Sequence, residues 1–235
     1  MKYFFTICLS LMLVLSYAQE NTITIDYTVD YVVPNKRKQT VDTLTVGYTK
    51  SGRYIWTDSK SLAKDLGKSI FRRNPELLET ADLGIIFDTE EGILMMCFES
   101  GKNKLFFNLE LSTIIPDTMT LDEDEEFELV SESTGEQITL LDKTATVYDI
   151  YPSNKVSEAI SVAFDESVSI NNNQVFKKIF EVVLASEGSS GMLGLVIPEG
   201  LIMRVTENER TLLEACNIDS TTKKIHINYS FKITE

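Results

Sequence analysis

Two stretches of apolar–polar alternation, one near each end of the chain, constrain the fold more than any other feature of the sequence. Every second residue is apolar from Ile23 to Val33, and again from Ile225 to Ile233. A repeat of two places successive side chains on opposite faces of a β-strand. Each stretch therefore predicts a strand with one buried and one solvated face, which is typical of an antiparallel sheet.

The middle of the chain continues this pattern and adds two helices. Short β-prone runs alternate with polar turns and predict a meander of about ten to twelve strands. Only two segments, at about 59–73 and 173–187, have apolar residues at helical spacing. Two amphipathic helices can bury their apolar surfaces by packing on the apolar face of a sheet. We therefore expect a mostly β (α+β) fold with a single antiparallel sheet and two helices covering its concave face.

Residues 1–18 have the parts of a secretory signal peptide. A basic residue precedes an apolar run from Tyr3 to Leu15, and a small–x–small triplet ends at Ala18. The run is shorter than the roughly 20 residues that cross a bilayer, and no stop-transfer sequence follows it. We expect cleavage after Ala18 and export of a single domain, 19–235, to the periplasm or medium, with no transmembrane segment left.

Composition and motifs exclude several classes of function. The formal net charge of −14 repels phosphate backbones, so we expect no nucleic-acid binding. His226 is the only histidine, Cys-x-x-Cys and Gly-rich phosphate motifs are absent, and the acidic segment 122–128 lacks the spacing of a calcium loop. We predict a non-catalytic protein without metal or cofactor. Whether Cys97 and Cys216 form a disulfide stays open.

Two groups of residues are candidates for binding. Aromatic and methionine side chains suit either a packed core or an adaptable apolar cleft. If the helices leave a cleft, its candidate lining is Trp56, Met95, Phe98, Phe107, Phe176, Phe180 and Met203. A basic row at every fourth position of the first helix is a candidate contact for a partner or a ligand headgroup: Lys60, Lys64, Lys68 and Arg72. Two functions follow: binding or carriage of an apolar, lipid-like ligand, or protein–protein interaction with a packed interior and no ligand.

The connection after the second predicted helix is rich in glycine. Gly188, Gly191 and Gly194 leave its backbone little restraint. We expect apolar contacts alone to hold the second helix to the sheet. Together with the unrestrained connection, this predicts that the helix is a movable lid over any cavity.

The order of elements resembles a known family. A signal peptide and a Thr-rich first strand precede Gly-Arg-Tyr-Ile-Trp at 52–56, a charged hairpin at 87–92 and Gly-Leu-Val-Ile-Pro-Glu-Gly-Leu-Ile at 194–202. This order resembles exported envelope proteins of Gram-negative bacteria with a LolA-like fold, including the GLPGLI-type families, although the Gly-Leu-Pro-Gly-Leu-Ile motif is stretched here. The resemblance implies an open, strongly curved half-barrel with helices in its concavity. In the lipoprotein carriers of that fold, the cavity takes acyl chains.

Overall fold

The structure is a computed structural model that describes residues 21–35, 40–60, 63–64, 81–100, 103–110, 127–177 and 192–227. These residues form 14 strands. The strands are β1 (Asn21–Ile25), β2 (Tyr27–Asn35), β3 (Thr40–Tyr48), β4 (Tyr54–Thr57), β5 (Asp82–Asp88), β6 (Ile93–Ser100), β7 (Asn103–Glu110), β8 (Phe127–Leu140), β9 (Lys143–Pro152), β10 (Ile160–Asp165), β11 (Met192–Leu195), β12 (Leu201–Glu207), β13 (Arg210–Asp219) and β14 (Lys223–Ile227). The prediction of a mostly β fold is confirmed.

The strands form two sheets rather than the single one predicted. One sheet has 12 strands in the order β11-β8-β9-β10-β12-β13-β2-β3-β4-β5-β6-β7, and β1 and β14 form a second sheet of their own. The large sheet is open, since its strand order runs from β11 to β7 without closing. It is also mixed, because β11 runs parallel to β8 while the other pairs are antiparallel. Parallel neighbours need a long connection, and two strands and the segment after β10 separate β8 from β11. The predicted wholly antiparallel sheet is therefore corrected in one pairing.

The second sheet exists because the first alternating stretch bends at Asp26. The backbone N–H of Asp26 donates to the carbonyl of Tyr48 at 2.9 Å, and the carboxylate of Asp26 accepts from the N–H of Lys50 at 2.8 Å. Beyond this bend, β2 pairs with β13 in the large sheet, whereas β1 leaves it and pairs with β14. The stretch predicted as one strand thus forms two, without any break in its alternation. Of the second stretch, residues 225–227 lie in β14, and 228–233 lie outside the described residues.

The large sheet is apolar on both faces between β4 and β7. On one face, the β1–β14 sheet packs its isoleucines against Trp56, Ile86 and Met95. On the other face, Met96 and Phe98 belong to a separate cluster with β5 side chains and Ala63. Burial on both faces explains why residues 93–98 are continuously apolar rather than alternating.

The described chain contains one continuous helical segment, residues 172–177, and not the two helices predicted. This segment begins the predicted helix 173–187, of which 178–187 lie outside the described residues. Within the predicted helix 59–73, positions 60, 63 and 64 are helical, and the remainder lies outside the described residues. A 3-10 helix at Val156–Glu158 was not predicted. In the part of the chain that the structure describes, no helix is long and apolar enough to cross a membrane.

Two buried tyrosines meet in the core between the large sheet and the 172–177 segment. The Tyr31 hydroxyl donates to the carbonyl of Ile202 at 2.8 Å and lies 3.3 Å from the Tyr48 hydroxyl. Burial raises the pKa of Tyr48 to about 12. Burial also raises the pKa of Tyr31 well above its ordinary value, and the neighbouring Tyr48 adds to this effect.

These tyrosines make stability fall at alkaline pH. In the unfolded chain they lose their protons near pH 10, whereas in the folded chain Tyr48 keeps its proton to about pH 12. The unfolded state therefore binds fewer protons in this window, so the contribution of these tyrosines to the free energy of unfolding is complete below pH 10 and decreases as the pH rises toward 12. Urea unfolding across this range should show the decrease, and it should be smaller in a Tyr31→Phe/Tyr48→Phe variant. If both phenols ionise near pH 10 in the folded protein, as judged by phenolate absorbance, this expectation is wrong.

Candidate binding cleft

A cleft of about 440 Å³ lies where the β1–β14 sheet meets the large sheet. We call it the sheet-junction cleft. Its apolar side chains are Trp56, Leu83, Ile86, Cys97, Phe106 and Ile225. Its polar and charged residues are Asp58, Lys60, Asp82, Glu99, Lys223, Lys224 and His226, and Gly84 completes the lining. The cleft thus combines an apolar floor with a charged rim.

The cleft opens where β4 ends and β5 continues. The last residue pair between these strands is Thr57 with Ile85, so 82–84 extend beyond β4 and pair only with β6 among the described strands. Gly84 keeps the floor open. A Cβ atom at this position would lie 3.4 Å from Nε1 of Trp56 and 4.0 Å from Cβ of Cys97, which are ordinary contact distances. A side chain larger than alanine would therefore extend into the cleft.

Strand β14 forms the opposite wall. Four consecutive residues, 223–226, line the cleft. Because successive side chains of a strand point to opposite faces, a cleft lined by four in a row borders the edge of the strand. The other edge of β14 pairs with β1, and Thr22 Oγ1 lies 3.0 Å from His226 Nδ1 across that pair.

Lys223 covers the indole ring of Trp56. Its Nζ lies 3.4 Å from the ring centroid, within the range of a cation–π contact. Desolvation lowers the pKa of Lys223, and the carboxylate of Asp58 partly opposes this by raising it. The lysine side chain therefore covers one face of Trp56, the only tryptophan of the chain.

The charges around the cleft balance. Three carboxylates and three lysine ammonium groups line it, so it offers no net attraction to a strongly charged ligand. It suits a ligand that carries both charges or neither. Across the described residues, no group of three or more His, Cys, Asp and Glu side chains is placed to hold a metal ion. Cys97 lines the cleft, Cys216 lies elsewhere on β13, and no disulfide joins them.

The structure distributes the predicted binding residues over several places. Trp56 and Lys60 come together in the sheet-junction cleft, and Met95 belongs to the core cluster that contains Trp56. Phe98 and Phe107 stack edge to face, with centroids 5.6 Å apart, on the opposite face of the sheet.

The remaining predicted residues lie farther along the fold or outside it. Met203 is fully buried in the core beneath the 172–177 segment, and Phe176 packs against the same core. Lys64 is half-buried, next to Ala63. Phe180, Lys68 and Arg72 lie outside the described residues.

Sequence reasoning missed several residues of the cleft. Gly84 carried a usable signal, because a glycine inside a strand often marks a close approach of another group. Lys223 carried none, since a lysine in a strand is ordinarily a solvated side chain. Phe106 carried no signal of its own, because it is one of 12 phenylalanines in the chain.

Hydrogen bonds hold the start of the second predicted helix. Asn172 Nδ2 donates to the carbonyls of Pro198 and Gly200 at 2.7 and 2.9 Å. Asn173 pairs through its side chain with both backbone groups of Ile197, at 2.8 and 3.0 Å. The expectation that apolar contacts alone dock this helix is therefore wrong for its first turn.

A second, smaller cavity of about 300 Å³ borders the hairpin ends near Tyr27, Lys143 and Asp165. It contains none of the binding residues that were predicted from the sequence. Asp165 is nearly fully buried, and its Oδ1 accepts from the N–H of Ser167 at 3.0 Å. This carboxylate fixes the turn after β10.

Comparisons with known proteins place the chain in no family. No family model matches the sequence, and no curated protein matches it significantly. Two crystal structures of PNGF-II, in different space groups, share 10% identity with this chain at a TM-score of 0.37. Each match covers 86% of this chain and 28% of PNGF-II, so the chain spans less than a third of that protein. This likeness is too remote to bear on function.

Proposed function

We propose that this chain is a non-catalytic exported binding protein that holds the apolar part of a ligand in the sheet-junction cleft. The observation that carries the proposal is the cleft itself, about 440 Å³ with an apolar floor and a charged rim. Ligand pockets typically have volumes of roughly 300–1,000 Å³ and combine apolar walls with a few polar groups. A packed interior without such a cleft would instead have favoured a pure interaction module.

A lipid-like ligand is the first class that the sequence suggests. The resemblance to LolA-like envelope proteins supports it, and so does the position of Lys60, where the predicted basic row reaches the rim of the cleft. In this proposal the 12-stranded sheet is a curved half-barrel, and the chain works in the periplasm of a Gram-negative bacterium. Phe180, Lys68 and Arg72 stay candidate contacts.

A protein partner is the second class. The observation that favours it is the edge of β14, which borders the cleft and pairs only with β1 among the described strands. An exposed strand edge is a template for another chain.

Native mass spectrometry of protein purified from its own envelope tests the proposed function. We expect a bound mass that denaturation releases. A spectrum of the protein alone, together with no uptake of a fluorescent fatty acid, would count against a lipid-like ligand.

Replacing Gly84 with valine should block the cleft while leaving the fold intact. Its Cβ meets only ordinary contacts, and β-branched residues suit strands, whereas its two methyl groups occupy the floor. We expect the dye bis-ANS, which reports apolar clefts by its fluorescence, to bind at least about tenfold more weakly, equivalent to about 1.4 kcal/mol.

The matched control for this variant is Gly194→Ala in β11. The three atoms nearest to its added Cβ all belong to the side chain of Glu128, at 3.7 Å, and Gly194 does not line the cleft. We expect the control to bind the dye like the wild type. Unchanged dye binding in Gly84→Val would place the binding site elsewhere.

A further inference from the structure

Two backbone edges, and not only side chains, border the sheet-junction cleft. One is the edge of β14 that faces away from β1, lined by the consecutive residues 223–226. The other is the start of β5, where the consecutive residues 82–84 extend beyond the last β4 pair, Thr57 with Ile85. Neither edge is paired with another strand in the part of the chain that the structure describes, so each presents backbone N–H and C=O groups to the cleft.

A ligand that covers these edges must satisfy them. A buried N–H or C=O without a partner is costly, and an acyl chain offers neither donor nor acceptor. An extended polypeptide offers both, at the spacing of a strand. The edge groups therefore discriminate between the two ligand classes more sharply than the apolar floor, which suits either.

We propose that the ligand of the sheet-junction cleft is an extended polypeptide segment, which adds as a third strand to the edge of β14. This inference rests on the proposed function and names the ligand class for the same cleft. The two-stranded β1–β14 sheet gains a partner, since a two-stranded sheet is only marginally stable by itself. The segment enters with alternate side chains facing the apolar floor at Trp56 and Phe106.

The rim adds a charge pattern to this recognition. Asp82 and Glu99 lie opposite each other on β5 and β6, whereas Lys224 lies on β14. A segment with one basic and one acidic residue flanking its apolar side chains meets an opposite charge on each wall. Lys223 must leave the Trp56 ring to admit an apolar side chain, so binding should change the emission of that tryptophan.

Capped peptides of the length of β14, which has 5 residues, test the proposal. The set has valine, leucine or phenylalanine at alternate positions, with a lysine near one end and a glutamate near the other. We expect at least one peptide to change Trp56 emission saturably, with a Kd below about 1 mM. N-methyl groups can be placed on either of the two alternating sets of amides, which we call the two N-methylated registers. One register should weaken binding at least about tenfold and the other should not, because only one edge of the peptide pairs with β14.

The outcomes separate this inference from the proposed function. If no peptide binds below about 1 mM, or if both N-methylated registers bind like the parent peptide, strand addition is wrong. If a fluorescent fatty acid binds the wild type but not Gly84→Val while the peptides fail, the ligand is a lipid and the proposed function stands. If neither probe binds, and bis-ANS does not distinguish Gly84→Val from the wild type, the proposed function fails as well.

Discussion

Replacing Gly52 with alanine is expected to destabilise the protein by roughly 2–5 kcal/mol, combining backbone strain of about 1–2 kcal/mol with overpacking of about 1–3 kcal/mol. Gly52 has a φ of +76°, in the left-handed region that favours glycine. A Cβ atom there would lie 2.4 Å from the backbone carbonyl oxygen of Asn171. Because that oxygen belongs to the backbone, it cannot rotate away as a side chain would.

The large effect follows from the position of Gly52 at a junction of three segments. Its carbonyl accepts a hydrogen bond from the buried Thr89 hydroxyl at 3.0 Å. In the same turn, the carbonyl of Lys50 accepts from the N–H of Asn171 at 3.4 Å. A shift of the turn would therefore disturb the β5–β6 hairpin and the start of the 172–177 segment together.

Urea unfolding of Gly52→Ala measures this effect, and Gly135→Ala is its matched control. Gly135 has nearly the same φ, +75°, but nothing lies within 4 Å of its Cβ position. We expect the control to lose only the strain, about 1–2 kcal/mol. Equal losses in the two variants would show that the contact with Asn171 does not matter.

The second large effect is expected at Gly47, where Ile25 of the β1–β14 sheet packs against the large sheet. A Cβ atom on Gly47 would lie 2.6 Å from Cγ2 of Ile25 and 3.1 Å from Cε3 of Trp56. Ile25 is fully buried, so it has little room to move. We expect Gly47→Ala to lower the free energy of unfolding by about 1–3 kcal/mol and to weaken binding in the cleft, because β14 and Trp56 shift together.

A double-mutant cycle with Ile25→Ala tests that mechanism. Removing the Ile25 side chain costs about 2–5 kcal/mol by itself, but it also relieves the clash with the new methyl group. The double variant should therefore be more stable than the sum of the two single losses predicts. Strict additivity would mean that the β1–β14 sheet does not pack on Gly47 in this way.

The sequence predicts much of the strand pattern but not the division into two sheets. The alternation from Ile23 onward is uninterrupted, and the bend at Asp26 depends on hydrogen bonds to Tyr48 and Lys50, which are distant in sequence. The continuously apolar run 93–98 did carry a signal that both faces of β6 are covered. It does not identify the element that covers each face, because such runs occur in any strand buried on both sides.

The cleft could be predicted only in part for a related reason. Trp56 and Lys60 were candidates from their residue types, and the structure brings them together. The wall opposite them comes from β14, and only the β1–β14 pairing places Lys223 on the Trp56 ring. Residue type suggests which side chains can bind, whereas the pairing of distant strands decides which of them meet.

The most direct test of the sheet-junction cleft is the emission of Trp56, the single tryptophan of the chain, during titration with the capped peptides and with a fatty acid. If the cleft is the binding site, one of these probes changes the emission saturably in the wild type and in Gly194→Ala, and the change disappears in Gly84→Val. An emission that no probe alters, or a change that persists in Gly84→Val, would contradict a binding site between the two sheets.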